Sequence, residues 1–272
     1  MKSLITTLSA LLIIISVSAQ SVPKTIRESD FTIGKTVVFK SKILGEDRQL
    51  NVYLPQNYIE NTSKSYPVIY LLDGSIDEDI IHVSGIVQFG SFSWINRNPE
   101  SIVVGISNVD RKRDFTFPTT VEQDIIDFPT SGHSTTFIQF IQDELKPYVN
   151  SEFRTSDTNT LIGQSLGGLL ATEILLKKPD LFDQYVIVSP SLWWNDESLL
   201  KQDLPEIKSD KSIYIAVGKE GEIMERTARS LYKKLKLSSS YNKHLNFEYL
   251  DHYSHGDILH HAVYNALFIL NN

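Results

Sequence analysis

Five residues near the middle of the chain, Gly163-Gln164-Ser165-Leu166-Gly167, spell G-x-S-x-G. An apolar, strand-like run at 159–162 precedes them, and a segment of helical period, 166–178, follows and stops before Pro179. In that setting the spacing predicts a nucleophile elbow. A sharp strand-to-helix turn lifts the serine hydroxyl above the sheet edge, and glycine two places before and after it avoids a collision across the turn. The N–H of Leu166, first in the helix, then points at the oxygen that gains charge when serine adds to a carbonyl.

A serine hydroxyl is a poor nucleophile until a base takes its proton. Behind such an elbow the partners follow in the order Ser, then Asp or Glu, then His. Of seven histidines, His255 falls in the loop 251–257 between the last expected strand and the last expected helix, where the base belongs. His252, three residues earlier, is its competitor. His260 and His261 fall inside a helix, as surface or packing residues, and His82, His133 and His244 are out of order. The acid should follow the strand expected at 212–217, where the chain reads Gly218-Lys219-Glu220-Gly221-Glu222. Glu220, between two glycines, is the candidate. Glu222 is the alternative, although an acid there also suits the start of a helix. A second oxyanion donor is expected after the strand 67–72, at Asp73-Gly74-Ser75, from the N–H of Ser75.

The elements that must hold these residues are legible as alternating patterns. Runs at 36–42 and 49–54 are rich in β-formers and flank Gly45-Glu46-Asp47, which predicts an antiparallel hairpin. Short apolar runs at 67–72, 101–106, 159–162, 184–188, 212–217 and 245–250 have the character of strands buried in a parallel sheet. Helical periods occupy 134–149, 166–178, 222–237 and 257–270. The fold class expected is therefore α/β: a mostly parallel central sheet flanked by helices, opened by an N-terminal antiparallel hairpin. In such sheets ligands gather at the carboxyl ends of the strands.

Composition narrows the function further. Hydrophobic residues at 41% and charged residues at 22% are the balance of a soluble globular domain. With 26 Lys and Arg against 33 Asp and Glu the net charge is −7, so the chain lacks the basic footprint of a nucleic-acid binder. Cysteine is absent, which removes disulfides, thiolate chemistry and Cys-ligated zinc. There is no H-E-x-x-H, and His252 with His255 would need a third zinc ligand. Neither metal nor cofactor is expected. Gly34-Lys35-Thr36 imitates a phosphate loop without its preceding glycine.

At the start, Lys2, the apolar run 4–17 and Val17-Ser18-Ala19 have the layout of a signal peptide cleaved after Ala19. The run is short for a bilayer span. The expected arrangement is a leader over 1–19 and a single α/β domain over 20–272. That protein would be exported to the periplasm or the medium, with no stable membrane insertion.

Five motifs occur in order: Tyr70-Leu71-Leu72-Asp73-Gly74, Ser131-Gly132, the run 163–168, Ser189-Pro190-Ser191-Leu192-Trp193-Trp194 and His255-Gly256. Together they resemble the putative-esterase family of the α/β-hydrolase fold, in its enterochelin-esterase-like and siderophore-esterase-like branch, over about 39–270. The resemblance implies hydrolysis of carboxylic esters, with Ser165 as nucleophile, His255 as base, Glu220 as acid, and the N–H groups of Ser75 and Leu166 as oxyanion donors. The family includes trilactone siderophore esterases, feruloyl and acetyl esterases and mycolyltransferases. The chain departs from its pattern at Gln164, where relatives often carry His, at His133 after Ser131-Gly132, and at Phe117, which interrupts an expected Asp-Phe-Thr-Pro run.

The partner expected is a small-molecule or glycan-linked ester. The long connection 108–133 is expected to rim the site with Arg111, Lys112, Arg113, Phe115 and Phe117. Arg111 is a candidate for an anionic ester, and Trp193 and Trp194 for a sugar or aromatic acyl group. Two other readings use the same residues: an acyltransferase that passes the acyl group to an acceptor hydroxyl, and a non-catalytic binder on the same scaffold.

Overall fold

A computed structural model describes residues 22–271; the expected leader lies outside the described residues. Two units divide the chain, Met1–Thr32 and Ile33–Asn272. The described part of the first carries neither helix nor strand. In the second, eight strands form one sheet in the order β1-β2-β4-β3-β5-β6-β7-β8.

The strands are β1 (Lys35–Lys40), β2 (Asp47–Tyr53), β3 (Tyr66–Leu71), β4 (Ile102–Ile106), β5 (Thr155–Gln164), β6 (Gln184–Val188), β7 (Ser212–Gly218) and β8 (His244–Leu250). β1 and β2 form the antiparallel hairpin, Lys35 opposite Val52 and Lys40 opposite Asp47, and β2 joins β4 antiparallel. Every other pairing is parallel. The central runs are apolar because helices cover both faces of the sheet, whereas the run at 245–250, which contains Asn246 and Glu248, is the edge strand β8 and only partly buried. Tyr66, Val68 and Tyr70 pack into one core with Phe137, Leu169 and Leu231. Ile69 and Leu71, from alternate positions, pack into a second core with Val83, Val87, Ile258 and Val263.

The helices are α1 (Ile80–Gly90), α2 (Arg111–Phe115), α3 (Glu122–Asp127), α4 (Ser134–Phe140), α5 (Lys146–Glu152), α6 (Leu166–Lys177), α7 (Trp194–Lys201), α8 (Glu222–Lys236) and α9 (Ile258–Leu270). The period expected over 134–149 is one helical run in three pieces, because a π turn, Ile141–Leu145, joins α4 to α5. Pro147 follows that turn and lacks the N–H that would continue the ordinary ladder. The wide turn also shifts the phase: Val149 is fully buried and Tyr148 only partly so.

The connection 108–133 is not an open rim. It folds into α2 and α3 and is tied down where the N–H of Gly132 donates to Thr116 Oγ1 at 3.0 Å and that of Ser134 to Thr116 O at 3.0 Å. Phe115 and Phe117 are buried core residues. Among the described residues no helix is long and apolar enough to cross a membrane.

Candidate active site

β5 ends at Gln164 and α6 begins at Leu166, leaving Ser165 alone at the turn with φ 59° and ψ −119°. Few non-glycine residues hold a positive φ, and here both flanks enforce it. The Ser165 N–H donates to Val188 O at 3.1 Å, while its carbonyl accepts from Leu169 N–H at 2.9 Å and Ser191 N–H at 3.0 Å. A Cβ on Gly163 would lie 2.3 Å from Gly167 O, so the turn closes only around glycine. Leu166, as the first helical residue, has no carbonyl one turn back within α6 to take its N–H. The turn thus joins strand to helix through a single serine.

β7 and β8 deliver the other two groups to the same end of the sheet. Glu220 follows β7, its side chain only 2% exposed, and His255 follows β8, its side chain 46% exposed; His255 Nδ1 and Glu220 Oε2 lie 2.5 Å apart. The second carboxylate oxygen, Oε1, accepts from Ser189 Oγ at 2.5 Å and from the Gly218 N–H at 2.9 Å. Burial pushes the Glu220 pKa up, but the hydrogen bonds from His255, Ser189 and Gly218 outweigh it and hold the carboxyl below its ordinary value. The group is an anion at neutral pH.

The alternatives separate clearly. His252 has a side chain 91% exposed and meets Asp251 at 3.7 Å. Glu222 is exposed in the first turn of α8. His260 and His261 lie in α9, His260 3.5 Å from Asp79 and His261 stacked on Tyr253.

Ser165 Oγ meets Ser191 Oγ at 3.4 Å, and no hydrogen bond joins it to His255. Hydrogen bonds between a nucleophile and its base are often long or poorly aligned before substrate binds. Gln164 ties the nucleophile's turn to the histidine's loop, its Nε2 donating to His255 O at 2.5 Å. Gln164, Ser189 and Ser191 are site residues that sequence reasoning did not assign. The signal available was their presence in the motifs that carry the resemblance.

Three expectations need correction. Trp194 does not face a ligand: it is fully buried, and its indole N–H donates to Phe117 O at 2.9 Å. Trp193 is partly buried against the core, with Phe128 beside it at 6.0 Å between ring centroids. Arg111 is no free cation either. Its Nε lies 2.6 Å from Asp73 Oδ1 and its NH2 2.8 Å from Asp73 Oδ2, with a further bond to Gln164 O at 3.3 Å. Burial works against the guanidinium charge, but Asp73 outweighs it and raises the pKa. Arg111 therefore locks the Asp73 turn, where φ is 55°, to the elbow. Arg113 is likewise engaged by Glu46 and Asp114, which leaves Lys112 exposed, donating to Asp127 O at 2.9 Å. Finally, the Ser75 N–H already has a partner, Glu78 Oε2 at 3.1 Å, because Ser75 and Glu78 stand three apart in the turn before α1, as in a capping box.

Known proteins share this arrangement of elements. The family profile described as "Putative esterase" matches residues 41–262. The ferri-bacillibactin esterase BesA of Bacillus subtilis is 30% identical over 243 residues, 77% of this chain and 80% of that protein. An IroE-like serine hydrolase from Shewanella oneidensis has a solved structure similar at a TM-score of 0.76 and 26% identity, covering 86% of this chain and 79% of that one. The BES protein from Bacillus cereus is similar at a TM-score of 0.79 and 24% identity over 92% of this chain and 100% of that one. The fold is that of the α/β-hydrolases.

Proposed function

Since this chain belongs to the putative-esterase family and is a carboxylic ester hydrolase, we propose that it works through Ser165, His255 and Glu220, acts on a siderophore-type ester, and does so after export. The observation that carries this reading is the 2.5 Å contact of His255 Nδ1 with a buried Glu220 carboxylate, beside a serine held at φ 59° on a strand-to-helix turn.

In the mechanism, Ser165 Oγ attacks the ester carbonyl and gives its proton to His255 Nε2. Glu220 holds the ring with its proton on Nδ1 and stabilises the imidazolium that forms. The Leu166 N–H takes the developing oxyanion. The alcohol leaves with the proton from His255, and water, activated by the same ring, then hydrolyses the acyl-enzyme.

The substrate class rests on the name of the Bacillus subtilis relative, a ferri-bacillibactin esterase. Trp193 is the aromatic residue left to meet an acyl group, since Trp194 is in the core. Export rests on the leader pattern of residues 1–19.

The test compares wild type with Ser165→Ala on p-nitrophenyl acetate, a trilactone siderophore with and without iron, methyl ferulate and acetylated xylan. The reading expects the trilactone to be preferred and the serine variant to lose a factor on the order of 10⁴ to 10⁶ in kcat. Preference for xylan or ferulate would move the substrate to plant-polysaccharide esters, and transfer to an added sugar hydroxyl would make the chain an acyltransferase. Mass spectrometry of the protein from its native cells tests export: a mature N-terminus at Gln20 is expected, and an intact Met1 start in the cytoplasm contradicts it.

A further inference from the structure

Ser189 sits where β6 ends, completely buried, with φ 44°. Serine adopts that left-handed backbone at a cost that glycine does not incur, and the site is not one where solvent rewards a hydroxyl. What the hydroxyl does there is donate to Glu220 Oε1 at 2.5 Å, while the Ser189 N–H donates to Ala216 O at 2.8 Å on the strand that leads to Glu220.

Two residues on, Ser191 faces the opposite partner. Its N–H donates to Ser165 O at 3.0 Å, and its Oγ lies 3.4 Å from Ser165 Oγ. Pro190 between them presses on the first turn of α6, for a Cβ on Gly168 would come within 2.9 Å of Pro190 Cα. One tripeptide thus touches the loop of the acid at one end and the elbow of the nucleophile at the other.

We propose that Ser189-Pro190-Ser191 is a brace that sets Glu220 and Ser165 in register, with Ser189 as a positioning residue acting on the reaction through Glu220. This rests on the Ser165, His255 and Glu220 reading above. A carboxylate can rotate about its last bond and present either oxygen to the imidazole. With Ser189 and Gly218 both donating to Oε1, Oε2 is left for Nδ1, which fixes the ring and leaves Nε2 for the proton of serine. Loss of the Ser189 donor removes one of the bonds that lower the Glu220 pKa, so the carboxylate takes up a proton at higher pH, and it also frees the carboxylate to turn.

The test uses Ser189→Gly and Ser189→Ala in the full chain. Glycine relieves the left-handed backbone, which offsets part of the lost hydrogen bond, so Ser189→Gly should fold even if Ser189→Ala folds poorly. The brace predicts that kcat in Ser189→Gly falls about 10- to 100-fold, as expected for a hydrogen bond to a charged group. KM should stay within about threefold, and the acid limb of the kcat/KM profile should move to higher pH. In a Glu220→Ala background the same substitution should cost less than about threefold, because the hydroxyl has no carboxylate left to hold.

Wild-type kcat in Ser189→Gly, or an undiminished loss in the Glu220→Ala background, overturns the brace. Those results leave the triad reading standing as long as Ser165→Ala is inactive. Full activity in Ser165→Ala overturns the reading on which the brace depends.

Discussion

Replacing Glu220 by glutamine should damage the enzyme more than deleting the side chain, and the reason lies in the two donors at Oε1. Glutamine keeps the shape of glutamate but has one oxygen and one NH2. Ser189 Oγ and the Gly218 N–H both donate to the Oε1 position, so the amide oxygen must sit there and the NH2 must face His255 Nδ1. That imidazole nitrogen then has to accept, which puts the ring proton on Nε2, the atom that must take the proton of serine. Restoring the useful tautomer sets two donors against each other where the native atoms lie 2.5 Å apart, at a cost of about 1–3 kcal/mol. The imidazolium also loses its counter-charge. At roughly 4 Å and an effective dielectric of 20 that attraction is about 4 kcal/mol, reduced here because the His255 side chain is 46% exposed. Together these predict a fall in kcat/KM of about 10³- to 10⁴-fold for Glu220→Gln. Glu220→Ala leaves the ring free to choose its tautomer and should fall about tenfold less. Steady-state hydrolysis of p-nitrophenyl acetate at pH 8 reads both, with Tm as a check on folding. A glutamine variant more active than the alanine variant, or within tenfold of wild type, would refute the reasoning.

Because the Glu220 pKa is lowered in the fold, the charged carboxylate adds stability above its ordinary pKa, and that contribution disappears as pH falls through the depressed value. Urea unfolding between pH 6 and pH 3 should show Glu220→Gln losing less stability than wild type; parallel curves would contradict the charge assignment. Arg111→Met should lower stability by about 1–3 kcal/mol, less than for a fully buried pair because the Arg111 side chain is 32% exposed, and should lower kcat for neutral and anionic esters alike. A rise in KM confined to anionic esters would return Arg111 to substrate binding. Trp194→Phe strands the Phe117 carbonyl and should cost about 1–3 kcal/mol while ester preference stays unchanged; a changed preference would place that indole in the pocket after all.

Much of this was legible in the sequence because the physics that builds the sheet is written locally. Strands covered on both faces must be apolar throughout, and β6 runs over the same residues as its pattern, Gln184–Val188. β5 reaches back to Thr155 beyond its apolar stretch because backbone pairing with β3 continues at Thr155 opposite Tyr66, and pairing leaves no hydropathic mark. The elbow was readable because its turn tolerates only small flanking residues. That His255 and Glu220 meet was foreseeable because chain order and loop position limit the choice; their roles in the reaction are the proposal made above. Side-chain destinations were less so. Arg111, Trp193 and Trp194 have the composition of a binding rim, but whether a guanidinium meets a substrate or Asp73, and whether an indole meets a sugar or Phe117 O, depends on residues dozens of positions away. The Ser75 N–H was misjudged for the opposite reason: its partner Glu78 is three residues on, and the capping pattern S-x-x-E was there to be seen.

The central claim is that Ser165 is a nucleophile activated within this site. The measurement that tests it most directly is treatment of the wild-type protein, Glu220→Gln and Ser165→Ala with a fluorophosphonate, followed by peptide mass spectrometry to locate the adduct. The account predicts one adduct, on Ser165, formed far more slowly in Glu220→Gln and absent in Ser165→Ala. Labelling of Ser191 instead, or equal labelling rates with and without the Glu220 carboxylate, would contradict it.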